Sequence, residues 1–195
     1  YHRELYLNHR DTLLAANQNI NNRFLNNIGK DMLNSLAFSA TVADIFLNNQ
    51  QFKDGDNFYT KDRAWAWEQQ LHENTKGILD KRLRDYEQPE RNAEVPILVI
   101  SPTIINDGRA LHIAASPVSY LLQDIPPTEN GIQAVANGVE YSRFFQDHDP
   151  GNIKLTSALR MNSAFPYVMP AVSLPSSPTI EVMDAGIRDN YGVMN

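Results

Sequence analysis

Asp184 is the side chain whose surroundings best suit it to chemistry. It follows the apolar run Ile-Glu-Val-Met and precedes Ala185-Gly186. That order places a carboxylate at the C-terminal end of a strand, where ligands bind in open α/β sheets. A carboxylate there can act as a general base, provided that it comes within about 3 Å of the proton it takes. Gly186 suits a sharp turn, because glycine tolerates positive φ. The competing reading makes Asp184 an ordinary turn residue, a frequent use of Asp. Other groups have weaker surroundings. His2, His9, His72, His112 and His148 are scattered. Ser35, Ser101, Ser157 and Ser163 read as caps, strand ends or packing residues. Asp147-His148-Asp149 precedes Pro150-Gly151 and reads as a solvated turn before it reads as a metal site. Asp54-Gly55-Asp56-Asn57 lacks the spacing of a calcium loop. No metal or cofactor is expected.

The elements that must position Asp184 come next. Residues 95–103 form a short β-branched apolar run that predicts a buried strand. Asn106-Asp107-Gly108 is a hairpin signal, and residues 109–115 return as a second strand. Residues 154–165 predict a helix that breaks at Pro166. Residues 131–145 have weak helical character. Before residue 90 the pattern is mainly helical. The predicted helices cover residues 1–14, one or two within 28–47, residues 61–74 capped by Thr60, and residues 78–86. Residues 50–60 read as a turn by composition, and 89–94 as a polar connection. Trp65 and Trp67 could mark a lipid-facing lid, but such residues more often belong to a core.

Bulk composition bounds the function class. The chain has 195 residues, a formal net charge of -6 and no cysteine. The acidic balance argues against nucleic-acid binding. The missing cysteines exclude disulfides, thiolate metal sites and a cysteine nucleophile. No stretch approaches the roughly 20 apolar residues of a membrane span. With 42% hydrophobic and 21% charged residues, the composition is that of an ordinary soluble globular chain. The first helical pattern opens with neither a capping residue nor an initiator Met, which suggests a cut end.

Several motifs together resemble the back half of a patatin-like phospholipase. They are Asp107-Gly108-Arg109 in the hairpin, Ala158-Leu159-Arg160, and Ser163-Ala164-Phe165-Pro166. Asp184-Ala185-Gly186 follows about 18 residues after Pro166, and Asp189-Asn190 closes the set. The resemblance covers roughly residues 95–192, about half the chain. It implies a three-layer α/β fold, with residues 1–195 the C-terminal part of a single domain: 1–90 mainly helical, 91–195 carrying the strands and the Asp turn. It implies a lipid acyl hydrolase in which Asp184 is the base of a Ser-Asp dyad, with no histidine between them. Met161, Phe165, Tyr167, Val168 and Met169 could then line an acyl-chain groove near Asp184, although for any one of them plain core packing is the stronger reading. Arg160 and Arg188 could meet a phosphate head group, but surface ion pairs are the stronger reading.

The family places its serine in a Gly-x-Ser-x-Gly elbow. No two of the nine glycines here stand four residues apart, so that motif is missing from this chain. A glycine-rich oxyanion loop is missing too. Residues 1–7 resemble the later part of the helix that follows the elbow. The expectation is therefore a base without its serine, inactive alone, whose partners are an acyl-ester lipid and the preceding part of the same domain. Ala185 stands where the family has Gly. The alternative is a patatin-fold interaction module without activity, and a weaker one is an unrelated α+β scaffold with an accidental Asp-x-Gly turn.

Overall fold

The computed structural model describes residues 3–7, 22, 25–27, 29–30, 32, 37, 51–54, 57–122 and 137–189. The chain divides into two compact units, Tyr1–Lys81 with Tyr167–Pro170, and Arg82–Pro166 with Ala171–Asn195. The predicted helix at 28–47 and the loop at 123–130 fall mostly or wholly outside the described residues, as do 190–195.

In the first unit, residues 3–7 are helical, as predicted. Residues 50–60, taken as a turn, instead carry an antiparallel hairpin. Strand β1 (Gln51–Asp54) pairs with β2 (Asn57–Thr60) in the register Gln51↔Thr60 to Asp54↔Asn57. Turn chemistry at 54–57 dominated the composition and masked the short strands beside it. Helix α1 (Arg63–Asn74) follows, and its cap is Asp62 rather than Thr60. Asp62 Oδ1 accepts the Trp65 N–H at 2.9 Å, the bond expected of an N-cap to the third helical residue. The helix ends in a Schellman turn. Lys76 takes a φ of 55° and donates to Glu73 O, while Gly77 donates to His72 O. That turn reverses the chain, so the helix predicted at 78–86 does not start there.

The second unit opens with helix α2 (Arg84–Arg91), shifted C-terminally from the prediction. Pro89, taken as connection, sits in its last turns. Asp85 and Glu87 near the N-terminus and Arg91 near the C-terminus complement the helix dipole. The strand predicted at 95–103 is much shorter. Pro96 and Pro102 lack N–H groups for a ladder. Ile100 forms an isolated bridge with Ile113, and β3 is confined to Thr103–Ile104. Ile97 and Leu98 are exposed rather than central.

The hairpin forms where its turn signal stands. Strand β4 (Ala110–His112) pairs antiparallel with β3. Gly108 takes a φ of 79° and donates to Ile104 O at 2.8 Å. Strand β5 (Gly138–Glu140) lies where weak helix was expected and pairs parallel with β4. Among the described residues of that stretch, α3 (Tyr141–Phe144) is helical. Helix α4 (Leu155–Met161) is capped by Asn162, four residues short of the predicted end in that its last helical residue is Met161. Strand β6 (Val172–Leu174) had no counterpart in the sequence reading. Strand β7 (Ile180–Met183) pairs antiparallel with both β6 and β3.

The result is a mixed five-stranded sheet in the order β5-β4-β3-β7-β6, accompanied by helices, which gives the unit its α/β character. The central strand expected from residue 95 forms only at Thr103–Ile104, and there it shares one sheet with Ile180–Met183, through Thr103↔Met183 and Ile104↔Val182. Ile104, Leu111, Ile113, Val118 and Val182 are fully buried. Each such side chain contributes about 1.5–3 kcal/mol of hydrophobic stabilisation. The sheet edge that carries Asp184 therefore rests on a packed core.

Candidate functional site at the end of β7

Asp184 follows the last residue of β7 directly. Its backbone N–H donates to Ala164 O at 2.8 Å. Ala164 is fully buried inside the Ser163-Ala164-Phe165-Pro166 break. One hydrogen bond thus joins the two motifs that the sequence separates by about 18 residues. The side chain is also held. Asp184 Oδ1 accepts the Gly186 N–H at 2.6 Å and caps the 3₁₀ turn Ala185–Ile187. Asp184 is half-buried, and its Oδ2 takes no hydrogen bond among the described residues. No serine hydroxyl among them bonds to the carboxylate.

Gly186 serves differently from expectation. Among the described residues the left-handed glycines are Gly77 and Gly108. Gly186 and Ala185 lie in an ordinary 3₁₀ turn, so the turn does not require positive φ at either position. Ala185 accordingly meets no steric objection there. Gly186 contributes its N–H to the carboxylate instead.

The residues proposed to line an acyl groove separate by exposure. Met161 is 5% exposed and Met169 4%, so both are core residues. Phe165 is 54% exposed and Tyr167 96%, and Val168 is exposed as well. Met161 and Phe165 belong to the second unit, Tyr167 and Met169 to the first.

Ser101, His112 and Glu140 form a cluster that the sequence reading missed. The bridge Ile100↔Ile113 sets Ser101 opposite His112, and the β4–β5 register sets His112 opposite Glu140. Three polar side chains therefore share one row across neighbouring strands, beyond the row of Thr103 and Met183 towards the Asp184 end. Ser101 Oγ and His112 Nδ1 are 3.0 Å apart. His112 is buried, and burial is the main cause that holds its pKa below the usual imidazole value. The Arg188 charge adds to that effect and the Glu140 charge opposes it. Glu140 is buried too, which alone would raise its pKa. Hydrogen bonds from Ser119, Ser142 and the Val118 N–H outweigh burial with help from the Arg143 charge, so the net shift is downward. The Ser142 bond is 2.7 Å and the Val118 bond 3.2 Å.

This row is not a Ser-His-acid triad. In such a triad the acid orients the imidazole through Nδ1 and the serine meets the other nitrogen. Here Ser101 occupies Nδ1, and the Glu140 oxygens are committed to Val118, Ser119 and Ser142. A Cβ on Gly138 would lie 2.7 Å from His112 Nε2, so the ring packs directly over that glycine. The hairpin signal, followed through its register, would have paired Ser101 with His112. Glu140 was out of reach because β5 joins through a parallel, non-local pairing.

Arg188 closes the 3₁₀ turn that Asp184 opens. Its Nη2 donates to Asn137 Oδ1. Asp189 completes the turn by donating its backbone N–H to Ala185 O at 2.9 Å. Arg160 is a buried residue of α4. Asp149, from the suspected metal cluster, accepts from Arg84 at 2.6 Å. Among the described residues no group of three or more His, Asp or Glu side chains could hold a metal ion. No helix among them is long and apolar enough to cross a membrane. Comparisons of the chain with protein-family models, curated proteins and solved structures find no match.

Proposed function

We propose that this chain is the C-terminal part of a three-layer, patatin-like lipid acyl hydrolase and that Asp184 is the base of its Ser-Asp dyad. The observation that carries the reading is the 2.8 Å bond from Asp184 N to Ala164 O. It ties the Ser-Ala-Phe-Pro break to the Asp-Ala-Gly turn at a strand end. Gly186 holds one carboxylate oxygen, which leaves Oδ2 available to a proton donor.

A serine hydroxyl is a weak nucleophile until a base removes its proton. Asp184 would take that proton as the serine oxygen attacks the ester carbonyl. It would return the proton to the departing alcohol, leaving an acyl-serine. It would then deprotonate the water that releases the fatty acid. The serine comes from a Gly-x-Ser-x-Gly segment outside these 195 residues. Without serine and oxyanion donors, which act as a unit with the base, the 195-residue chain is expected to be inert towards a short-chain nitrophenyl ester. The protein extended through that segment is expected to hydrolyse it. Turnover by the 195-residue chain that vanishes with Ser101→Ala would replace this mechanism with one built on the Ser101–His112 pair.

The second reading is a non-catalytic patatin-fold module, and the missing Gly-x-Ser-x-Gly motif favours it. A coding sequence with no such motif ahead of Tyr1 would decide for the module.

A further inference from the structure

Asp149 takes a left-handed backbone, φ 51° and ψ 65°, directly before Pro150. Asp visits that region more easily than most residues, but a proline pushes the residue before it towards extended backbone. Strain of this kind persists only where the surroundings over-determine it. Here the chain after the bond is anchored to the start of α2. Arg82 donates through Nη1 to Asn152 O, Leu83 N donates to Ile153 O at 3.0 Å, and Arg82 forms a β-bridge with Lys154. The Asp149 side chain is anchored as well, since Arg84 Nη2 donates to its Oδ2 at 2.6 Å. Oδ1 takes no hydrogen bond among the described residues, and Asp149 is exposed. The Asp149 carbonyl oxygen accepts the Asn152 N–H at 3.0 Å. A backbone N–H fixed on a carbonyl oxygen is the donor that an oxyanion needs when that carbonyl is attacked. Asp149-Pro150 is the one Asp-Pro pair in the 195 residues.

We propose that the protein cleaves its own chain at the Asp149–Pro150 bond, with the Asp149 carboxylate as nucleophile. Oδ1 attacks the carbonyl carbon of the same residue, and the carbonyl electrons move onto the oxygen that Asn152 N–H holds. Nucleophile and target belong to one residue, so no entropy is lost in bringing them together. As the carbonyl re-forms, the C–N bond breaks. Its electron pair goes to the Pro150 nitrogen, which takes a proton from solvent acid and leaves as a secondary amine. Asp149 is left as a five-membered cyclic anhydride. One water opens that ring and restores the side-chain carboxyl beside a new C-terminal carboxyl. The sum is hydrolysis of one peptide bond, and breaking it frees Asp149 from its strained φ. The pieces 1–149 and 150–195 stay paired across the sheet through Thr103↔Met183 and Ile104↔Val182. This activity uses neither Asp184 nor an external serine, so it stands apart from the hydrolase reading.

The test is intact-mass spectrometry of the purified 195-residue chain during incubation at about pH 5.5, beside the same chain unfolded in urea at the same pH. Circular dichroism checks that the first sample is folded. The folded chain is expected to yield fragments ending at Asp149 and beginning at Pro150. It should cleave about tenfold faster than the unfolded chain, the rate equivalent of about 1.4 kcal/mol of released strain. Asp149→Ala should abolish the cut. Asp149→Glu keeps a carboxylate but must close a six-membered ring, and should slow the cut by about tenfold or more. Asp147→Ala alters a neighbouring acid outside the reaction and should cleave as wild type does. A folded chain that stays intact overturns the proposal. Cleavage equally fast or faster in urea also overturns it, because the bond would then show only the acid lability of any Asp-Pro pair. A cut that persists in Asp149→Ala, or falls at another bond, assigns the cleavage to a contaminating protease and overturns the proposal as well. None of these outcomes bears on Asp184.

Discussion

Asp184 carries two loads that a substitution can separate. Its Oδ1 caps the 3₁₀ turn through Gly186, and its Oδ2 faces no partner among the described residues. Asp184→Asn keeps an oxygen for the cap but abolishes the base. In the active, extended protein, loss of the base is expected to cost about 10²–10⁴-fold in turnover, with little change in melting temperature. Asp184→Ala removes the cap as well and should lower stability by about 1 kcal/mol. Asp189→Asn should retain turnover, because the turn uses the Asp189 backbone N–H. Turnover numbers measured beside melting temperatures check all three. A folded, inactive Asp189→Asn with an active Asp184→Asn would mean that the base is the other carboxylate. The placement of Asp184 at a strand end was legible in the sequence because an acid after a short apolar run and before a glycine has few structural placements. The exposure of the flanking apolar residues was not legible. Met161 and Met169 look like Phe165 in composition, and only packing tells that they are buried.

Elements were legible where local chemistry specifies them and obscure where distant pairing does. Asn106-Asp107-Gly108 makes its hairpin because Gly108 alone in that turn takes left-handed φ, and Asp107 secures the Arg109 N–H at 3.0 Å. Nothing lies within 4 Å of a Cβ built on Gly108. Gly108→Ala should therefore cost about 1 kcal/mol from backbone strain alone. Gly138 offers the converse. Its backbone is not left-handed, but a Cβ there would stand 2.7 Å from His112 Nε2 and 3.2 Å from Ala110 O. Gly138→Ala should therefore cost more than Gly108→Ala, by forcing β5 away from β4 or His112 off its bond with Ser101. Urea midpoints of the two variants decide this, and equal losses would show that the His112 ring moves aside freely. Strands β5 and β6 escaped the sequence reading because each is three residues long and gains its identity only from its neighbours. The cap of α1 shows the limit of local reading in another way. Thr60 and Asp62 are both acceptable caps by type, and the structure selects Asp62 because its oxygen reaches Trp65 N.

At the scale of the molecule, the second unit sets two of its buried polar groups, His112 and Glu140, side by side across the sheet, and this gives its stability a definite dependence on pH. His112 has a folded pKa below its ordinary value near 6.5. The unfolded chain therefore binds a proton more readily than the folded one as pH falls below about 6.5, and folding loses free energy there. Glu140 has a folded pKa below its ordinary value near 4.5. Its contribution is present above that value and is lost as pH falls through it. The two groups act in the same direction in successive windows, so acid should weaken the unit in two steps. His112→Gln removes the titrating group and keeps a side chain able to bond with Ser101. It should flatten the urea midpoint between about pH 6.5 and 5 while leaving the loss below about pH 4.5 in place. Urea titrations of wild type and His112→Gln from pH 8 to pH 4 make the measurement, since the midpoint follows stability when the slope is unchanged. A wild-type midpoint that rises on acidification from pH 8 would show that the folded protein favours the imidazolium.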